Sequence, residues 1–118
     1  MFLKHNSLLQ NNRAFDIEKQ VENIVYNELI HQGYNVTVGQ LAGKEIDFIA
    51  QKTGGEPGYI QVAYLLASEE TKAREFGNLA LIKNNYPKYV ISLDPFNDKS
   101  DYNGIKHLSL QHFLTFGL

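Results

Sequence analysis

The chain has 118 residues, of which 43% are hydrophobic and 20% are charged, and its formal net charge is −2. This length allows one domain, and this composition excludes a wholly disordered chain. Because cysteine is absent, disulfides, thiol nucleophiles and cysteine-based zinc sites are excluded. The net charge disfavours a strongly basic nucleic-acid-binding domain, although a local basic patch stays open.

Missing motifs exclude further classes of protein. No two of the four histidines are three or four residues apart, and there is no P-loop, G-x-G-x-x-G or G-x-S-x-G motif. The helical metal pair and the commonest nucleotide-binding and hydrolase signatures are therefore excluded. No apolar run reaches the roughly 20 residues of a membrane helix, and the first residues lack the pattern of a signal peptide. We therefore expect a cytoplasmic protein with no membrane partner.

The first predicted element is a helix. Residues 1–15 are polar and without clear periodicity, which predicts a leading segment before a single domain of residues 16–118. Asp16 is the predicted N-cap of a helix that reaches residue 32, and Gly33 is its predicted left-handed C-cap. The apolar residues of this helix recur with helical spacing at Ile17, Val21, Ile24, Val25 and Leu29.

Five strands and two more helices follow. Alternating, β-branched and aromatic residues predict strands over 34–38, 44–50, 59–64, 89–93 and 104–108. A turn is predicted over 39–43, a hairpin loop over 52–58 and a polar loop over 94–103. Ser68 and Ser109 are the predicted N-caps of the second and third helices, and Tyr86-Pro87 is the predicted end of the second. Helices before and after a strand meander predict an α/β fold, with a mixed central sheet of four to five strands covered on both faces.

Asp47 needs a chemical explanation, because a carboxylate inside an otherwise apolar strand is costly to bury without a partner or a metal. Strand alternation predicts that Glu45, Asp47 and Ile49 share one face of their strand, and that Gln61 and Ala63 share one face of the next. We interpret Glu45 as an ordinary carboxylate on the sheet surface. Asp47 itself is either a metal ligand or a structural carboxylate paired with lysine or a backbone N–H group.

Glu22 is the second candidate. On a helical wheel it lies at the edge of the apolar face of the first helix, and Glu28 lies inside that face. We expect Glu22, in preference to Glu28, to approach Asp47; the alternative is an exposed helix residue. Gln61 is either a ligand position or a polar group on a half-buried strand. His107 is interpreted as an ordinary residue at the surface or its border.

Three features together resemble the PD-(D/E)XK nuclease fold, as in archaeal Holliday-junction resolvases. Glu22 precedes Gly33 by eleven residues, and the segments 43–50 (GKEIDFIA) and 60–63 (IQVA) follow. The resemblance covers the chain from about residue 17 to 93. It implies a restriction-endonuclease-like three-layer sandwich.

A closer resemblance covers nearly the whole chain. It is to the C-terminal domain of unknown function that many bacterial and archaeal AAA+ ATPases carry. The similar segments are 22–29 (ENIVYNEL), 44–50 (KEIDFIA), 59–64 (YIQVAY), 69–71 (EET), 74–77 (REFG) and 85–89 (NYPKY). The resemblance implies a nuclease-like tail whose partner is an ATPase domain in the same or an associated chain.

The chain departs from active nucleases of this fold at two positions. In those enzymes Asp and Glu bind Mg²⁺ or Mn²⁺, and a lysine two residues further on positions or activates the attacking water. Here Gln61 stands at the glutamate position and Ala63 at the lysine position. Since a neutral amide oxygen is a poorer ligand for a hard cation, the resemblance implies vestigial catalytic and metal positions at Glu22, Asp47 and Gln61, with metal binding weak or absent.

Three functional hypotheses follow. The first is a degenerate, non-catalytic module without a cofactor, which recognises a protein or a nucleic acid such as DNA for an ATPase. The second is an Mg²⁺- or Mn²⁺-dependent nuclease with an atypical site of Glu22, Asp47 and Gln61. The third is a structural domain that forms homo-oligomers.

Overall fold

The fold is an α/β sandwich, and the computed structural model describes residues 6–41, 43–66, 69–94 and 101–118. The elements are α1 (Asn6–His31), β1 (Asn35–Leu41), β2 (Lys44–Gln51), β3 (Gly58–Val62), α2 (Glu69–Ala80), β4 (Lys88–Ser92), β5 (Asp101–Tyr102), β6 (Ile105–Ser109) and α3 (Leu110–Phe116). In this part of the chain, the six strands form one sheet in the order β1-β2-β3-β4-β6-β5. The strands β1 to β3 form an antiparallel meander, β3, β4 and β6 run parallel, and β5 pairs antiparallel with β6.

Two apolar cores lie on opposite faces of this sheet, which makes the fold three-layered as expected. The first core joins α1 and α3 to the sheet through Val21, Val25, Leu29, Phe48, Ala50, Ile60, Val62, Ile91, Leu108 and Phe113. The second core joins α2 to the other face through Ile46, Tyr59, Ala63, Leu66, Phe76, Leu79, Ile82, Val90 and Ile105. The side chains of β3 and β4 alternate between the two cores, because strands covered on both faces bury both sets of side chains.

The five predicted strands are present, with two differences. The first strand does not turn at Gly39 but continues to Leu41, because Gly39 and Gln40 still pair with Ile46 and Glu45 of β2. The predicted polar loop over 94–103 contains the two-residue strand β5, which lies at the sheet edge against β6. The described sheet thus has one short strand more than the four to five predicted.

The start of α1 differs most from the prediction. The helix begins at Asn6, so Asp16 lies inside it and is not its N-cap. No glycine or proline interrupts residues 6–31, and aspartate inside a helix costs only about 0.7 kcal/mol relative to alanine, so the helix continues across Asp16. The irregular segment predicted over 1–15 is therefore wrong for residues 6–15. The domain boundary itself stays a prediction.

The end of α1 is as predicted. Gly33 has a φ of 96°, the left-handed region that glycine enters without steric cost. The N–H groups of Gly33 and Tyr34 donate to the carbonyls of Ile30 and Leu29, which completes a Schellman cap.

The later helices agree with the prediction in part. Ser109 caps α3 by accepting a hydrogen bond from the His112 N–H group at 3.0 Å. The other predicted cap, Ser68, lies outside the described residues. The helix α2 ends at Ala80 rather than near Tyr86, because the Ile82 N–H group bonds back to the Leu79 carbonyl in a tight turn that buries Ile82.

A buried polar pair lies between β4 and β6. Ser92 Oγ lies 2.7 Å from His107 Nε2, and the Asp94 N–H group donates to Ser92 Oγ at 3.1 Å. The interpretation of His107 as a surface residue is wrong, because its ring is fully buried. The serine hydroxyl meets the hydrogen-bonding need of the ring at this depth.

No helix in the described part of the chain combines the length and the apolar character that a membrane crossing needs.

We expect Ser92→Ala to lower the free energy of unfolding by about 1–3 kcal/mol, because it removes the hydroxyl that pairs with a buried imidazole nitrogen. Urea denaturation at neutral pH measures this loss. Thr115→Val is the control, since it removes a hydroxyl from an exposed site on α3 and should stay within about 0.5 kcal/mol of wild type. Equal stability of Ser92→Ala and wild type would show that the pair contributes nothing.

Candidate functional site

The strand β2 carries a β-bulge at Asp47 and Phe48. Thr37 of β1 pairs with Ile49, and Gly39, two residues later, pairs with Ile46. Asp47 and Phe48 of β2 therefore lie opposite the single residue Val38 of β1. The bulge breaks the predicted alternation, since Ile46 packs in the core under α2 and Phe48 in the core under α1. Bulges re-aim side chains and are frequent beside active sites.

Two side chains join β2 to β3 where the regular pairing of these strands stops, after Phe48 and Ile60. The Asp47 N–H group donates to Gln61 Oε1 at 2.7 Å, and the Val62 N–H group donates to Asp47 Oδ2 at 2.8 Å. We call these two hydrogen bonds the Asp47–Gln61 bridge. It satisfies backbone donors that the strand ladder leaves unpaired.

The bridge bears on the structural interpretation of Asp47, while the metal-ligand interpretation stays a prediction. The Asp47 carboxylate is bonded to a backbone N–H group, as the structural alternative predicted. Burial raises the pKa of Asp47, and the hydrogen bond from Val62 partly offsets this rise. The negative charges of Glu18 and Glu45 raise the pKa further, while Lys19 lowers it.

Glu22 lies on α1 within electrostatic reach of Asp47. Its pKa is raised first by partial burial and then by the charge of Asp47. Lys19, one turn earlier, lies 3.8 Å from the Glu22 carboxylate and acts in the opposite direction. The expected approach of Glu22 to Asp47 thus agrees with this electrostatic interaction. Glu28 instead accepts a hydrogen bond from Gln32 Nε2 at 2.9 Å.

Glu75 on α2 is a third carboxylate of this region, and the sequence reasoning missed it. Only 8% of its surface is exposed, and burial raises the pKa of Glu75 to about 6. Arg74 Nη2 lies 3.4 Å from Glu75 Oε2 and opposes the rise, while the charges of Asp47 and Glu18 add to it. A helical wheel could have found Glu75, since it lies about 40° from the buried Leu79.

Ala63, at the position where the resemblance leads us to expect a lysine, is part of the hydrophobic core. Ala63 is 1% exposed and belongs to the core under α2. Two cations lie beside the carboxylates, and each is largely exposed: Lys19 pairs with Glu22, and Arg74 pairs with Glu75. Lys52 does not join them: its Nζ lies over the Tyr34 ring, 4.8 Å from the ring centroid.

The donor set does not fit an Mg²⁺ or Mn²⁺ ion well. Gln61 contributes a neutral oxygen that already accepts from Asp47, and one oxygen of Asp47 already accepts from Val62. Within the described ranges, no three acidic, histidine or cysteine side chains are placed to hold a metal ion together. Hard cations need several oxygen ligands with charge among them.

The chain is similar to part of a longer protein. It is 41% identical over 87 residues to an uncharacterized protein of Haemophilus influenzae (strain ATCC 51907 / DSM 11121 / KW20 / Rd). The match covers 74% of this chain but 20% of the relative, so the matched segment is about one fifth of that protein. No family model and no solved structure matches the chain.

We expect Glu75→Gln to stabilise the protein at pH 7.5. Folding raises the pKa of Glu75 from 4.5 to about 6. The Glu75 carboxyl group therefore stays protonated to a higher pH in the folded state than in the unfolded state. The free energy of unfolding should therefore fall by about 2 kcal/mol as the pH rises through this range. Urea denaturation from pH 4.5 to 7.5 should show a smaller fall for the variant.

The control is Glu70→Gln, which removes a carboxylate from an exposed position of the same helix. At pH 7.5 the free energy of unfolding of this variant should stay within about 0.5 kcal/mol of wild type. An unchanged pH profile in Glu75→Gln would contradict the electrostatic cost assigned to Glu75.

Two substitutions of Asp47 separate its charge from its hydrogen bond. Asp47→Asn keeps an oxygen for the Val62 N–H group and removes a half-buried charge, so it should match or exceed the stability of wild type at pH 7.5. Asp47→Ala leaves a buried N–H group unpaired and should cost about 1–3 kcal/mol. Denaturation of both variants without divalent cations measures the difference. Equal losses would argue against the bridge.

Proposed function

We propose that this chain is a degenerate, non-catalytic nuclease-like domain of a larger AAA+ ATPase, and that it acts as a recognition module. The supporting observation is the Asp47–Gln61 bridge. At the two candidate metal positions, Gln61 Oε1 and one carboxylate oxygen of Asp47 accept backbone hydrogen bonds that join β2 to β3. These two residues therefore have fewer free oxygen lone pairs with which to bind a metal ion.

The comparison with the longer relative supports a role inside a larger assembly. The matched segment makes up about one fifth of that relative, so most of the relative lies outside the match. From the resemblance to the C-terminal domain of AAA+ ATPases, we propose that its partner is an ATPase domain in the same or an associated chain.

The charges of the site favour a protein over a nucleic acid as the recognised partner. The charge of Asp47 raises the pKa of Glu22 and the pKa of Glu75, and Glu18 adds to both rises. A cluster of carboxylates repels the phosphate backbone on which nucleic-acid affinity depends. We therefore place the recognition of a protein first and that of DNA second.

The test is a nuclease assay with Mg²⁺ and with Mn²⁺ on single-stranded, duplex and branched DNA and on RNA. We expect no cleavage that Asp47→Ala removes, because Gln61 and Ala63 replace a metal ligand and the water-activating lysine. Asp47→Asn is the second control, since it preserves the fold while removing the charge. Cleavage by wild type that both variants lose would overturn the proposal.

The second candidate is a metal-dependent nuclease that uses Glu22, Asp47 and Gln61. The observation in its favour is that Glu22 and Asp47 interact electrostatically and both have raised pKa values. A bound cation would relieve this repulsion. The nuclease hypothesis predicts that Mn²⁺ raises the unfolding temperature of wild type but not of Asp47→Asn. The recognition-module hypothesis predicts no such difference.

A further inference from the structure

The two edges of the sheet differ in length and in what they offer to another chain. At one edge, β5 is two residues long. At the other, β1 is seven residues long and, among the described strands, pairs with β2 alone. A long edge strand presents backbone N–H and C=O groups on which another strand can pair.

This long edge lacks the usual protection. Edge strands are commonly guarded by charged residues or proline, and β1, with the sequence NVTVGQL, has neither. Its side chain at Val38 is 75% exposed. An exposed valine on an uncharged edge favours association, because burying it removes apolar surface from water.

The uncharged surface continues onto α1. From residue 23 to residue 40, the one formally charged side chain is Glu28, which is half-buried and bonded to Gln32. On the helix, Tyr26 and Ile30 are 42% and 46% exposed. Val36 packs in the core under α1, so Val38, two residues later on the same strand, projects on the α1 side of the sheet.

We propose that two copies of this chain pair through their β1 edges, antiparallel, about a two-fold axis close to Val38. The pairing makes one continuous sheet across both copies, and it places the α1 helices on the same face. Antiparallel pairing about Val38 sets Val38 against the same residue of the second copy and Val36 against Gln40. Every such pair is uncharged.

The choice of a second copy follows from this charge pattern. In a two-fold interface each residue meets its own surface patch, so a single lysine or glutamate near the axis would face a like charge. The edge has no such residue. It also has no charge with which to select a basic or acidic partner. This inference stands apart from the proposed recognition role and does not depend on catalysis.

Sedimentation velocity of the whole chain tests the proposal, over concentrations up to about 200 μM, where even a Kd on the order of 100 μM leaves a measurable dimer. We expect a dimer for wild type and a monomer for both Val38→Lys and Val38→Glu, with the Kd raised at least about tenfold. Mixing the two variants should restore a dimer, because opposite charges then meet across the axis. Circular dichroism verifies that both variants are folded.

The matched control is Phe116→Lys on α3, since Phe116 is 73% exposed and lies outside the β1 surface. It should dimerise like wild type. A monomeric wild type would overturn the proposal, and so would a dimer that Val38→Lys leaves intact. Loss of the dimer in Phe116→Lys alone would assign the interface to α3 instead.

Discussion

The half-buried carboxylate of Asp47 is the constraint on which the candidate site depends. A charge taken out of water needs donors, and the Val62 N–H group supplies one of them. The bulge in β2 lies where the regular pairing with β3 stops, after Phe48 and Ile60. Beyond that point the Val62 N–H group bonds to the Asp47 side chain rather than to a backbone carbonyl of β2. Gln61 completes the exchange by accepting from the Asp47 N–H group. The bulge in β2 thus accompanies the side-chain hydrogen bonds that join β2 to β3.

The ionised carboxylates of Glu22, Asp47 and Glu75 lower the stability of the folded state. Burial raises the pKa values of Glu22, Asp47 and Glu75, and the charge of Asp47 adds to the rise at the other two. Lys19 and Arg74 offset part of this cost, but exposed ion pairs contribute little. The two apolar cores must supply the balance. A proton, a cation or a basic partner group near these carboxylates would lower this cost.

Hydrophobic periodicity predicted the order of the elements, because the apolar stripe of α1 and the alternating strands depend on residue type alone. It failed where the signal is absent. The beginning of α1 carries no capping motif that sequence reasoning recognised, and a helix continued across Asp16. It also missed the depth of His107, since an imidazole in a strand looks the same in sequence whether Ser92 or water satisfies it.

The amino-acid sequence by itself determined the α/β class and the mixed sheet covered on both faces. Tertiary structure decided what the residues of the site do. The bulge arises from the register between β1 and β2, which no single strand encodes, and the burial of Glu75 arises from the packing of α2 on the sheet. Hydrogen bonding and burial depend on neighbours distant in sequence, and so the site emerges only when the strands and helices meet.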